Sequence, residues 1–154
     1  MKKMRISTKV EFGIIALLDI ALNTNNENTV KVNAISKRNN ISAKYLEQIL
    51  PLLKQSNLIS SVKGSSGGYR IQRELGDITL YEIVNALDRS ILASSEFSKE
   101  LEQNATDAIE KCLWEPMTSY LCKYTQKMTL KDLTDMYYER KNYNDDISFF
   151  SARI

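Results

Sequence analysis

Histidine is absent from this chain, and cysteine (2), proline (2) and glycine (5) are scarce. Without an imidazole, a serine or cysteine nucleophile lacks its usual base, and neither a phosphate loop nor a metal-ligand spacing stands in its place. An enzyme is therefore not expected. So little glycine and proline disfavours a many-turned β fold and favours helices. No apolar run approaches about 18 residues, the least that crosses a membrane. Met1 to Val10 is basic but holds neither an apolar stretch nor a small-residue cleavage site. The expected location is the cytoplasm, with reduced thiols, no cofactor and no membrane partner.

What is present fits one globular unit with an appended helical arm: 154 residues, 43% hydrophobic and 26% charged. The net charge of +2 conceals an uneven distribution. Residues 1–75 carry 12 Lys and Arg against 5 Asp and Glu, a net of +7, and residues 76–154 carry 9 against 14, a net of −5. A basic half joined to an acidic half points to a polyanion for the first and different work for the second.

Thr8-Lys9-Val10-Glu11 reads as a capping box that opens a largely buried helix, Phe12 to Leu22. A short helix from Val32 to Arg38, a tight turn at Asn39-Asn40-Ile41 and a second helix, capped by Ser42 and running from Ala43 to about Gln55, make a helix-turn-helix. Leu46, Ile49, Leu50 and Leu53 form the core stripe of the second helix. Pro51 predicts a bend or an early end there, because it has no N–H for the Glu47 carbonyl. Leu58 to Val62 and Tyr69 to Gln72 read as paired strands with Lys63-Gly64-Ser65-Ser66-Gly67-Gly68 at the tip, which is a wing.

Thr79-Leu80-Tyr81-Glu82 opens another helix, through Leu87, and Asp88 to Asn104, polar and weakly periodic, reads as a loop with fraying helix. From about Ala105 to Tyr124, the residues Ile109, Leu113, Met117, Tyr120, Leu121 and Tyr124 recur every three or four positions, a long amphipathic helix interrupted or kinked at Pro116. Thr129-Leu130-Lys131-Asp132 caps a last helix. Asn142 to Ile154 has no strong period, though Phe149-Phe150 predict docking. The fold class that follows is mostly α with a small β-hairpin wing: a winged helix-turn-helix over residues 1–88 and a helical region over 89–154.

Three segments together resemble the Rrf2 family of bacterial winged-helix regulators: Arg5-Ile6-Ser7-Thr8-Lys9, Ile41-Ser42-Ala43-Lys44-Tyr45-Leu46-Glu47-Gln48, and Val62-Lys63-Gly64 with Gly67-Gly68-Tyr69. Ile78-Thr79-Leu80-Tyr81-Glu82-Ile83 also looks like the family's next helix. The resemblance implies a transcriptional regulator, expected to be a repressor, that binds a palindromic operator in double-stranded DNA. It also implies a homodimer paired through the long helix at Ile109, Leu113, Met117, Tyr120, Leu121 and Tyr124. A partner protein or a small-molecule effector would supply the signal.

The residues suit that job. Ser42 and Gln48 can read base edges, Glu47 can accept from a cytosine amino group, and Lys44 can hold phosphate. Tyr45 either reaches a base or packs against the wing, and Glu47 is alternatively a solvated helix residue. In the wing, Ser65, Ser66 and Tyr69 accompany Gly67 and Gly68, which let the backbone approach a phosphate or serve a turn that needs positive φ, while Lys63 and Arg70 supply charge. Ser7, Thr8 and Lys9 stand at a helix start, as a phosphate site or as plain capping.

Many members of the family hold an iron–sulfur cluster on three close cysteines just past the helix after the wing. Asp88 to Asn104 has none, and Glu96, Glu100 and Glu102 read as a solvated acidic loop, so the cluster-free branch is expected, with no metal. Cys112 and Cys122 lie about 15 Å apart along one helix, too far to bridge within one chain. A redox role would need a partner chain or a small thiol; otherwise they are inert, partly buried thiols. The competing function is a winged-helix interaction module that binds a partner enzyme through its acidic C-terminal half.

Overall fold

The computed structural model describes residues 6–25, 28–93, 97 and 99–151, with the side chains of 146 and 148–151 outside that description. Arg5, Glu96 and the docking of Phe149 and Phe150 therefore fall outside the described residues. Helices α1 (Thr8–Asn23), α2 (Val32–Asn39) and α3 (Ala43–Gln55) precede strands β1 (Ile59–Val62) and β2 (Gly68–Ile71), after which come α4 (Leu80–Leu87), α5 (Gln103–Ile109), α6 (Glu115–Lys127) and α7 (Leu130–Ser151). The strands form an antiparallel hairpin with Ile59 opposite Ile71 and Val62 opposite Gly68.

The core lies among α1, α3, α4 and β1. Leu17, Ile20, Ile35, Leu46, Leu50, Leu53, Leu58, Ile59, Ile78 and Ile83 have no exposed surface. Removing each such side chain from water contributes about 1.5–3 kcal/mol, so this cluster dominates the stability of the winged unit. Leu130 joins the same core. It is brought there by a short ladder in which Leu80 donates to the Met128 carbonyl (2.9 Å) and Leu130 to the Ile78 carbonyl (2.8 Å). Gly13 lies where α1 crosses α4: a Cβ there would stand 2.3 Å from Leu87 Cδ2.

Local chemistry explains the boundaries. Asn40 takes left-handed backbone (φ 53°) and ends α2, as an Asn at that position can without large strain. The first cap sits one residue upstream of its expected place: Ser7 is extended and accepts the Val10 amide, and Thr8 is already helical. Both hydroxyls can cap, and Ser7 does so because its backbone has the extended geometry that a cap requires. The Thr79–Glu82 capping box forms as expected. α3 runs through Pro51 to Gln55 without ending early, with Ile49, Leu50 and Leu53 buried on either side of it and Pro51 on the exposed face.

Two findings differ from expectation further on. The long helix is interrupted upstream of Pro116, where Glu110–Trp114 widens into a π turn and Glu115 donates its amide to the Glu110 carbonyl. Pro116 cannot donate to the Cys112 carbonyl and its ring crowds the preceding turn, which the extra residue relieves. The last helix continues through Asn142 to Ser151. Tyr143, Ile147 and Phe150 fall at i, i+4 and i+7 there, a spacing too sparse among the polar residues to announce the helix as a strong period.

Arg73 clasps the end of the hairpin to α4. Its Nη1 and Nη2 both donate to Glu82 Oε1 (2.9 Å each), and Nη2 also donates to the Asp77 carbonyl (2.8 Å). The Arg73 guanidinium, with the Thr79 amide and hydroxyl, holds the Glu82 carboxyl below its ordinary value of 4.5. A depressed folded value adds stability that is complete above the unfolded value and lost as the pH falls through the folded one. In urea unfolding the gap between the parent and Glu82→Gln is therefore expected to narrow below pH 4.5; a gap of constant size down to strong acid would contradict this clasp.

Candidate nucleic-acid interface

α3 has two unlike faces. Leu46, Ile49, Leu50 and Leu53 are at most 1% exposed, whereas Ser42, Lys44, Glu47 and Gln48 point to solvent. Ser42 Oγ accepts the Tyr45 amide at 3.2 Å, which caps the helix and leaves its O–H free to donate outward. Tyr45 is half-buried, with its ring edge-on to Phe12 (centroids 5.6 Å apart, planes at 82°). Tyr45 thus packs against α1. That contact sets the beginning of α1 alongside the beginning of α3, one helical turn from Thr8.

At the start of α1, Ser7, Thr8 and Lys9 are exposed. Ser7 uses its oxygen on the Val10 amide. The Asp88 carboxyl, held below its ordinary value first by the Ser90 hydroxyl and amide, also feels the charge of Lys9.

The hairpin is held from two sides. Lys54 Nζ donates to Ser61 Oγ (2.6 Å), tying α3 to β1. Val30 and Tyr69 exchange both backbone hydrogen bonds at 2.8 Å, and Thr29 Oγ1 donates to the Ser66 carbonyl, also at 2.8 Å. A Cβ on Gly68 would meet the Val30 carbonyl oxygen at 2.6 Å, and one on Gly67 would meet the Gly64 and Val62 carbonyl oxygens at 2.7 Å. The positive φ of the turn (104°) belongs to Gly64. Gly67 and Gly68 are thus needed for close approach within the chain itself. Lys63, Ser65, Ser66 and Arg70 are exposed, and Tyr69 packs its half-buried side chain against the core.

The expected interface residues accordingly separate. Lys44, Glu47, Gln48, Lys63, Ser65, Ser66 and Arg70 face outward, and Tyr45, Gly67, Gly68 and Tyr69 hold the frame that carries them. Among the described residues, the ion pairs are Arg38–Asp19, Arg73–Glu82 and Lys131–Asp135, none of which engages Lys44, Lys63 or Arg70. Sequence reasoning missed the Thr29–Val30 edge and the exposed Lys31 that immediately precedes α2. A pair of β-branched residues just ahead of a helix was the available signal.

Comparison with known proteins agrees with this geometry. Residues 6–136 match the family model Rrf2, described as an iron-dependent transcriptional regulator. The transcriptional regulator IscR of Xenorhabdus nematophila is 33% identical over 130 residues, spanning 84% of this chain and 79% of that protein. Among solved structures, CymR of B. subtilis, described as its global cysteine regulator, superposes with a TM-score of 0.73 at 26% identity, over 87% of this chain and 98% of that one. IscR of T. potens gives 0.70 at 29% identity, over 89% and 90%.

The donor set here does not fit the iron of the family description. The chain has no histidine and two cysteines. Cys112 is exposed in the π turn, and Cys122 on α6 directs its Sγ to the Leu92 carbonyl at 3.7 Å. Glu102 caps α5 by accepting the Asn104 and Ala105 amides. Among the described residues no three His, Cys, Asp or Glu side chains gather as a metal site. Thiolate ligation of a cluster needs more sulfur than this chain supplies.

The two-faced α3, the braced hairpin and the similarity along most of the length lead to one conclusion: this chain belongs to the Rrf2 family of winged-helix, DNA-binding transcriptional regulators.

Proposed function

We propose that the chain is a cytoplasmic repressor that binds a palindromic operator as a homodimer, with residues 1–88 as the DNA-binding part and 89–154 as the dimerising and regulatory part. The observation that carries the reading is the exposed polar edge of α3, backed by a fully buried stripe and flanked by the basic hairpin. In this reading α3 enters a major groove, where Gln48 and Ser42 address bases, Glu47 accepts from a cytosine amino group and Lys44 holds phosphate. Lys63, Ser65, Ser66 and Arg70 of the hairpin, together with Ser7, Thr8 and Lys9, hold the flanking backbone. Tyr45, Gly67, Gly68 and Tyr69 serve by positioning these groups.

The dimer reading is supported by an apolar face with no cover in the single chain. Ile109 (42%), Leu113 (44%), Met117 (48%), Tyr120 (70%) and Tyr124 (50%) are exposed along one rod, beside a half-buried Leu121. Trp114, 43% exposed, extends the face and was not foreseen. A stripe of this size on a monomer is unfavourable in water and is expected to be paired. No helix among the described residues is long and apolar enough to cross a membrane.

The test is anisotropy titration of a selected palindromic duplex at several salt concentrations. Lys63→Ala is expected to weaken all sequences alike and to lower the salt slope by about 1, whereas Gln48→Ala should relax discrimination at one base pair by about 1–3 kcal/mol. Parent-like binding by both variants would move the interface elsewhere.

A further inference from the structure

A cleft of about 370 Å³ lies between α1, α2 and the middle of α7, away from the polar edge of α3. Ile15, Leu18 and Leu22 of α1 supply its apolar side, and Tyr137 and Tyr138 of α7, whose rings meet edge-on 5.7 Å apart, supply an aromatic one. The charged groups at its border are Asp19, Arg38 and Lys141. Asp19 is consumed within the protein: Oδ2 accepts from Arg38 Nε (2.9 Å) and Asn39 Nδ2 (2.7 Å), and Oδ1 accepts from Arg38 Nη2 (2.6 Å). Its charge is already paired with Arg38, which leaves no unpaired anion there to favour a cationic ligand. The donors are in surplus, because Arg38 Nη1 and Lys141 Nζ have no acceptor among the described residues.

We infer that this cleft binds a small organic anion, a carboxylate attached to a compact apolar or aromatic body. The carboxylate would sit between Lys141 and the free edge of Arg38, and the body between the leucines of α1 and the tyrosines of α7. A volume of this size is at the lower end for small-molecule sites, and the mixed polar and apolar lining suits a ligand with one charged end. Its position gives the occupant leverage. Arg38 and Asn39 end α2, Asn40 turns the chain, and Ser42 caps α3, so a ligand bridging α7 to Arg38 bears on the element that presents Gln48. This rests on the regulator reading above and supplies the chemistry of its effector.

The experiment titrates 3-phenylpropanoate, with phenethylamine as the opposite-charge control, into the full chain by calorimetry, and measures duplex affinity in parallel. The acid is expected to bind with a dissociation constant below about 1 mM and the amine not to bind. Lys141→Glu and Tyr138→Ala should each weaken the acid at least about tenfold while leaving ligand-free duplex binding unchanged. Saturating acid should change duplex affinity at least about fivefold. The inference is overturned by absence of acid binding, by equal binding of the amine, by unaltered acid binding in both variants, or by duplex affinity indifferent to the acid. Failure of the ligand-free parent to bind any duplex would instead remove the regulator reading, which the calorimetric arm does not depend on.

Discussion

Arg38→Ala is expected to cost about 1–3 kcal/mol of folding stability, the range for leaving a buried acceptor without its partner, since the arginine itself is half exposed. The asymmetry of the pair is the reason. The Asp19 side chain is 6% exposed and that of Arg38 is 43% exposed, so deleting the arginine strands a carboxylate inside the protein, whereas deleting the carboxylate leaves a cation with water at hand. Asn39 Nδ2 would remain on Oδ2, but it is shared with the Ile35 carbonyl and carries no full charge. Asp19→Asn should therefore cost less than Arg38→Ala in urea unfolding. The reverse order, or a loss under about 1 kcal/mol for Arg38→Ala, would mean that the carboxylate is not confined as described. Because the pair fixes the end of α2, operator affinity should fall in Arg38→Ala even at temperatures where the variant stays folded.

Gly68→Val should detach the hairpin from the body of the protein. Its Cβ would stand 2.6 Å from the Val30 carbonyl oxygen and 2.8 Å from Thr29 Oγ1, and the first obstacle is backbone that cannot swing aside. Relief requires separating β2 from Val30, which forfeits two backbone hydrogen bonds worth about 1 kcal/mol each and adds overpacking of about 1–3 kcal/mol. The expected readouts are rapid hydrogen exchange at the Tyr69 amide and operator affinity reduced by roughly tenfold or more, with helix content unchanged. Gly76→Ala is the matched control, because nothing lies within 4 Å of a Cβ at that position. If the control and Gly68→Val bind the operator equally, the wing has no part in recognition.

Much of this was legible before any coordinates because the informative signals were local. The stripe Leu46-Ile49-Leu50-Leu53 announces α3 by spacing alone, and the reciprocal pattern at Thr79 and Glu82 announces α4. Ser7 and Thr8 are adjacent hydroxyls of nearly equal capping power, so the choice between them depended on backbone geometry that sequence does not carry. The Val30–Tyr69 pairing joins residues far apart in the chain, and no local pattern encodes which edge a hairpin will meet. Gly67 and Gly68 were recognised as special, and the reason at Gly67 is local, a close approach to the Val62 and Gly64 carbonyls of its own turn, whereas at Gly68 it is the tertiary contact with Val30. The distal half of α7 shows Tyr143 (62%) and Ile147 (47%) exposed among charges. Two apolar residues exposed among charges give the eye little period to follow.

The widened turn at Glu110–Trp114 sets the phase of the exposed apolar rod. An inserted residue rotates everything downstream by about 100° relative to everything upstream, so Ile109 and Met117 lie on a common row only in a rod carrying this interruption. In the pairing proposed above, one surplus amino acid beside Pro116 would therefore decide which knobs meet.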